Sequence, residues 1–150
     1  MTYPLPRNIE LEDATVVYGT GKILKVGSTA NHADLSSAAS VGVGITTASS
    51  SRAGADHALV TASATVSFYP LGGVLMVQTD AASTYDFGDT VYVAASGLCT
   101  STAGSNKKLG LYVGDSAHAA TALSAPLSGD TSSATEGALI AVDTHGAAIA

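Results

Sequence analysis

Gly88-Asp89-Thr90-Val91-Tyr92-Val93 alternates polar with apolar side chains, and turn-forming residues flank this stretch on both sides. An alternation with a period of two is typical of a β-strand that has one buried face. Val91 and Val93 are therefore predicted to point into the core. Similar short runs of Val, Ile, Leu, Thr and Tyr recur along the chain, and helical periodicity is nearly absent. The sequence thus predicts an all-β protein, a small β-barrel or sandwich with an extended N-terminal arm.

Eight strands are predicted from these runs, which are bounded by clusters of residues that favour turns. They lie near residues 14–18, 22–26, 41–47, 58–69, 74–79, 90–94, 109–113 and 138–143. Reversals are expected at residues 18–22, 70–73 and 104–106, because glycine permits a positive φ and proline cannot donate to a central ladder. Glycine alternates with apolar residues in both 41–45 and 109–114, but no tandem repeat of roughly 20 to 50 residues is evident.

The domain organisation predicted from this pattern has four parts. They are an extended N-terminal arm over residues 1–13, a β-barrel core over 14–115, a linker or loop rich in Ala, Ser and Thr over 116–136, and a C-terminal strand and tail over 137–150. A chain of 150 residues is long enough for one ordinary core.

The composition predicts a surface that needs a partner. Hydrophobic residues make up 46% of the chain, but charged residues make up only 12%, about half the usual share of about 25%. Exposed strand edges with so little charge favour aggregation of a free monomer. We therefore expect the protein to associate with itself or to be built into a larger assembly.

The charge distribution argues against a nucleic-acid partner. The formal net charge is -6, and the six Lys and Arg residues are scattered rather than clustered along a stripe. Binding to phosphates by counterion release requires clustered cations. The pair Lys107 and Lys108 is interpreted as a solvated turn.

Two further features bear on the compartment. Cys99 is the single cysteine, so no internal disulfide is possible, and we expect a buried structural thiol. The N-terminus lacks the apolar stretch of a signal peptide, and no run reaches the roughly 18 apolar residues of a membrane span. The sequence therefore predicts a soluble protein with no membrane partner, and it is compatible with synthesis in a bacterial cytoplasm.

No motif indicates catalysis, a metal or a cofactor. Gly19-Thr20-Gly21-Lys22 lacks both the earlier glycine and the following Ser or Thr of a phosphate-binding loop, so it is interpreted as a hairpin. Each histidine lies near an aspartate in sequence, but ligand spacing is missing; the four are His32, His57, His118 and His145. The acidic cluster of Glu10, Glu12 and Asp13 is interpreted as solvated. We predict that the protein is not an enzyme, although its many serines leave an unrecognised hydrolase as an open alternative.

The order of elements resembles the small β-barrel decoration, or cement, proteins of tailed-bacteriophage capsids. The likeness covers roughly residues 14–115 and depends on residues 88–93 followed by Leu109-Gly110-Leu111-Tyr112-Val113-Gly114. In that family, a strand of the Gly-Asp-x-Val-Tyr type is followed by a glycine-containing strand that returns along the barrel. The polar segment 49–56 and the long tract after Asp115 depart from the compact family pattern.

This resemblance implies a function and a location. A member of the family sits on the capsid exterior of the virion, binds the major capsid protein and bridges neighbouring coat subunits, commonly as a homotrimer. The acidic charge is consistent with a position away from packaged DNA. A different class also stays open, namely a phage tail or surface adhesin module that binds a receptor or glycan.

The residues predicted to contact a partner lie in the arm, and they are Tyr3, Pro4, Leu5, Pro6 and Arg7. The two prolines fix φ at about −65° and favour extended conformations at the residues before them. Tyr3 and Leu5 would supply apolar anchors. The alternative is a frayed terminus, which is common at chain ends.

Overall fold

The computed structural model describes residues 6–12, 20–47, 65–114 and 136–150. Within these ranges the chain forms ten β-strands and a short 3-10 helix at Ala95–Gly97. The strands are β1 Arg7–Leu11, β2 Ile23–Val26, β3 His32–Leu35, β4 Gly44–Thr46, β5 Thr65–Pro70, β6 Val74–Asp80, β7 Thr90–Val93, β8 Cys99–Thr100, β9 Lys108–Tyr112 and β10 Glu136–Asp143. The prediction of an all-β protein is confirmed.

The strands close into two barrels of five strands each. Barrel A has the order β1-β3-β2-β4-β5, and barrel B has the order β10-β6-β8-β7-β9. Closure removes the exposed strand edges that favour aggregation. A single barrel over residues 14–115 was predicted, and this is wrong because β10 pairs with both β6 and β9 to complete the second barrel.

The two barrels share one topology. The first and third strands of each barrel are parallel, β1 with β3 and β6 with β8, and the other neighbours are antiparallel. Strands β1, β2 and β3 begin at residues 7, 23 and 32, and strands β6, β7 and β8 begin at residues 74, 90 and 99, so each pair is 67 residues apart. The chain therefore contains the same barrel twice.

Individual hydrogen bonds repeat between the barrels. The amide of Gly21 donates to the carbonyl of Thr46 at 2.9 Å, and the amide of Gly88 donates to the carbonyl of Tyr112 at 2.8 Å. Both glycines have a positive φ, 83° at Gly21 and 93° at Gly88. Such a backbone conformation favours glycine because it has no Cβ. The same local geometry thus opens β2 and β7.

The glycine echo between residues 41–45 and 109–114 lies in equivalent strands. Gly44 of β4 pairs with Leu24, and Gly110 of β9 pairs with Val91. Both glycines are buried. The repeat is not evident from the sequence, because its period of 67 residues is longer than that of ordinary tandem repeats and few residues are identical between the copies.

The predicted N-terminal arm ends earlier than expected. Arg7–Leu11 is strand β1, which pairs with β3 on one side and with β5 on the other. Proline is compatible with the position immediately before a strand, where no ladder bond is required. The arm over 1–13 is therefore wrong for residues 7–11, and its residues 1–5 lie outside the described ranges.

Most other strand predictions agree with the structure within a few residues, and Val91 and Val93 are fully buried as predicted. The prediction at 14–18 and most of the 116–136 linker lie outside the described residues; Glu136 begins β10.

Strand β3 was missed because His32 and Asp34 have low β propensity. Strand β8 was missed because it has only two residues. Residues 70–73 connect the two barrels instead of forming a hairpin within one sheet.

Candidate functional site

The five residues predicted to contact a partner are only partly described. Tyr3, Pro4 and Leu5 lie outside the described ranges. Pro6 is exposed, and Arg7 is the exposed first residue of β1, opposite Phe68 of β5. The role of the arm therefore stays a prediction.

The two described histidines each lie beside a different carboxylate. His32 Nε2 lies 3.2 Å from Glu10 Oε2, because β1 and β3 place these two residues in register. His145 Nδ1 lies 2.6 Å from Asp143 Oδ1. His57 and His118 lie outside the described residues. Within the part of the chain that the structure describes, no three His, Cys, Asp or Glu side chains are grouped so that they could hold a metal.

Cys99 is a buried thiol, as predicted. Its Sγ lies 3.8 Å from the Tyr85 hydroxyl, which in turn lies 2.8 Å from the Thr79 hydroxyl. Burial raises the pKa of the Cys99 thiol to about 12 and raises the pKa of Tyr85. A protonated buried thiol is a poor nucleophile, so this cluster acts as polar packing inside barrel B.

Glu12 is not simply solvated, in contrast to the interpretation from sequence. Its carboxylate accepts hydrogen bonds from the amides and hydroxyls of both Ser28 and Thr29, in the turn between β2 and β3. The bonds from Ser28 lower the pKa of Glu12 most, to about 2, and those from Thr29 contribute further. The ionised carboxylate thus ties the end of β1 to the turn between β2 and β3.

The main feature that the sequence did not predict is the seam between the barrels. Ile23 and Ile45 belong to barrel A, but both join the buried cluster of barrel B. Gly42 lies at this contact: a Cβ added to it would be at ordinary contact distance from Leu109 (3.5 Å) and Val93 (3.6 Å) of barrel B, and close only to Ile23 of its own barrel, at 3.1 Å. The buried cluster of barrel B therefore extends into barrel A, while a second, smaller cluster lies within barrel A alone.

Polar contacts also cross the seam. The amide of Gln78 donates to the carbonyl of Gly21 at 2.8 Å. The Ser36 hydroxyl donates to the carbonyl of Ala94 at 2.7 Å, and the amide of Gly97 donates to the carbonyl of Ser36 at 3.2 Å. Apolar packing combined with these bonds fixes the orientation of barrel A against barrel B.

The exposed large apolar side chains of the described residues fall into two groups. Val74 lines a groove with residues of both barrels, and Val43 and Ile149 line a second such groove. The other three lie away from these grooves: Val26 is 71% exposed, Phe87 is 82% exposed and Leu111 is 38% exposed. Surface apolar side chains of this size are candidates for contact with another molecule.

The chain was compared with models of known protein families and with curated proteins. No model of a known protein family matches the chain, and no curated protein is significantly similar to it. Among the described residues there is no helix with the length and apolarity required to cross a bilayer. The repeat itself had a signal in the sequence, since Tyr18 and Gly21 recur as Tyr85 and Gly88 at a spacing of 67 residues.

Proposed function

We propose that this chain is a structural protein of a virion, which binds the outer surface of a capsid and bridges neighbouring coat subunits. In this role it acts without catalysis and without a cofactor. Its partners are the major capsid protein and further copies of itself, and the family resemblance favours a trimer. The observation that carries the proposal is the presence of two barrels of one topology, joined by a buried cluster to which both contribute.

A doubled barrel suits a bridging role. Equivalent strands of the two barrels present related surfaces at a fixed separation, because the seam buries Ile23 and Ile45 in the core of barrel B. A shell presents the same coat subunit many times at fixed spacing. Two linked contacts bind such a surface more tightly than either contact alone, because the second contact forms at a high effective concentration.

The surface chemistry also favours a permanent partner. Val26 and Phe87 are largely exposed, and only 12% of the residues in the chain are charged. A surface of this kind is more easily kept in solution when it is covered in an assembly. The adhesin alternative has less support, because sugar sites place aromatic rings beside polar groups, and among the described residues the tyrosines are buried or half-buried and Phe87 is the one exposed aromatic ring.

The direct test uses virus particles purified from the source of the sequence. Mass spectrometry is expected to find this chain in a fixed ratio to the coat protein. Purified chain added to shells that lack it is expected to bind saturably and to raise the temperature at which they disassemble. Shells of an unrelated virus serve as the control. Absence from particles, together with binding of a glycan on an array, would instead support the adhesin function.

The contribution of the arm can be tested without damage to the barrel. Deletion of residues 2–5 leaves Arg7–Leu11 intact. If Tyr3 and Leu5 anchor the protein to its partner, the shortened chain is expected to bind shells more weakly than the full chain in direct competition. Equal binding would support the frayed-terminus alternative.

A further inference from the structure

The contact between the two barrels uses different surfaces on each side. Barrel A contributes the plug face, defined by Ile23, Ser36 and Ile45 on and beside β2, β3 and β4. Barrel B contributes the socket end, defined by Val93, Ala94 and Gly97 at the turn between β7 and β8, with Leu109 behind them. Because the barrels are equivalent, each one also carries a counterpart of the surface that it does not use at the seam.

The counterpart of the plug face lies on the outside of barrel B. Ile23 pairs with Ile45 in barrel A, and Thr90 pairs with Leu111 at the same place in barrel B. Leu111 is 38% exposed. Phe87 is 82% exposed, and by the 67-residue repeat it is the equivalent of Thr20, which lines a groove together with Ile45 in barrel A. We call this surface the free plug face.

The counterpart of the socket end lies on barrel A. In barrel A, Val26 of β2 pairs with Ala33 of β3. In barrel B, Val93 of β7 pairs with Cys99 of β8, so Val26 is the equivalent of Val93. Val93 is fully buried at the seam, whereas Val26 is 71% exposed. The turn from Gly27 to Asn31 follows Val26 in barrel A. It is the equivalent of the turn after Val93 in barrel B, where the Ala94 carbonyl accepts the hydrogen bond from Ser36. We call this surface the free socket end.

From this arrangement we propose that a second copy of this chain docks its free plug face onto the free socket end of the first. The contact between copies then repeats the contact between the barrels, and it covers Val26, Phe87 and Leu111. These three are the exposed large apolar side chains of the described residues that do not line a groove at the seam. The proposal concerns the chain alone and does not depend on a capsid.

The contact between copies is weaker than the seam. Thr90 stands where barrel A has Ile23, so less apolar surface is buried. The two surfaces in the contact are different, so the interface is heterologous, and each copy keeps one free surface after docking. Assemblies of this kind form a ring if the rotation closes and an open chain if it does not.

The test measures self-association of the full chain by sedimentation over a range of concentrations up to the solubility limit. The wild-type chain is expected to associate as concentration rises. Val26→Asp on the free socket end and Leu111→Asp on the free plug face are each expected to raise the dissociation constant at least about tenfold, because each places a charge in an apolar contact. Phe87→Asp tests the same face at a turn, where the fold is not disturbed. Ile149→Asp is the matched control, since it adds the same charge at an exposed apolar position outside both surfaces.

Mixing separates this proposal from other modes of association. A Val26→Asp chain retains its free plug face, and a Leu111→Asp or Phe87→Asp chain retains its free socket end. An equimolar mixture of the two variants is therefore expected to form one-to-one dimers, although each variant alone stays monomeric. A wild-type chain that is monomeric at every concentration, variants that associate as the wild type does, or a mixture that fails to dimerise would overturn the proposal.

Discussion

Barrels A and B have the same strand order but very different interiors. Among the described residues, the buried cluster confined to barrel A has four members, which are Leu11, Leu24, Ala33 and Val66. The cluster centred on barrel B has twelve members, and two of them, Ile23 and Ile45, come from barrel A. Among the described residues, the larger buried cluster therefore lies in barrel B and draws two of its members from barrel A.

Aromatic residues account for part of this difference. Tyr85 and Tyr112 stack inside barrel B with ring centroids 5.4 Å apart. Thr46 takes the place of Tyr112 in barrel A, as the repeated hydrogen bonds from Gly21 and Gly88 show. A threonine fills much less volume than a tyrosine, so barrel A gains less from the burial of its interior.

The largest effect is expected when equal side chains are removed from the two interiors. Leu109 in barrel B and Leu24 in barrel A are both fully buried. Truncation of a buried leucine to alanine costs about 2 to 5 kcal/mol of unfolding free energy, and more where neighbours cannot collapse into the cavity. We expect Leu109→Ala to lie near the upper end and Leu24→Ala near the lower end, as measured by chemical denaturation. Equal losses would contradict the expectation that the larger buried cluster of barrel B is the less tolerant of a cavity.

The equivalent glycines of β4 and β9 provide a second comparison. A Cβ at Gly110 would overlap with the backbone carbonyl of Asp143, whereas a Cβ at Gly44 would overlap mainly with the ring of Phe68. A half-buried ring can rotate away, but a paired backbone cannot. We expect Gly110→Ala to destabilise by about 3 kcal/mol and Gly44→Ala by about 1 kcal/mol, since overpacking costs depend on what can yield. Thermal melts of both variants would decide the order, and the reverse order would show that β5 is the less adaptable strand.

A smaller effect is expected from the seam. Ser36→Ala removes the hydrogen bond to Ala94 that joins the barrels, which is expected to cost about 1 kcal/mol. Thr102 is the counterpart of Ser36 by the pairing of β3 and β8, and it is exposed. Thr102→Ala is therefore the matched control, with an expected change close to zero at a concentration where the chain is monomeric. A similar loss in both variants would mean that Ser36 acts locally rather than across the seam.

At acidic pH, the free energy of unfolding is expected to depend on the ionisation of Glu12 in barrel A. Its pKa falls from an ordinary 4.5 to about 2 in the folded protein. A depressed folded-state pKa adds stability above pH 4.5, and that stability is lost as the pH falls towards 2. Glu12→Gln is expected to lose less stability than the wild type across this interval, in unfolding measured at a series of pH values. Parallel curves for the two proteins would contradict the role of the Ser28 and Thr29 bonds.

Period-two alternation by itself determined the fold class and the positions of several strands. Val91 and Val93 alternate with polar residues, so their burial followed from the geometry of a pleated strand. The lone cysteine between apolar and small residues likewise led to the correct prediction of a buried thiol. These are local properties, and local sequence carries them.

Only the tertiary structure decided that there are two barrels and where they meet. Strand pairing joins residues far apart in the chain, as in the pairing of β6 with β10, and no local pattern encodes the partner of a strand. Ile23 and Leu24 look alike in sequence, yet one faces barrel B and the other fills barrel A. Which side of β2 is interior depends on the closure of the sheet and on the presence of a second barrel against it. The seam, and the free surfaces that repeat it, exist because packing between distant segments selects one of two chemically similar faces.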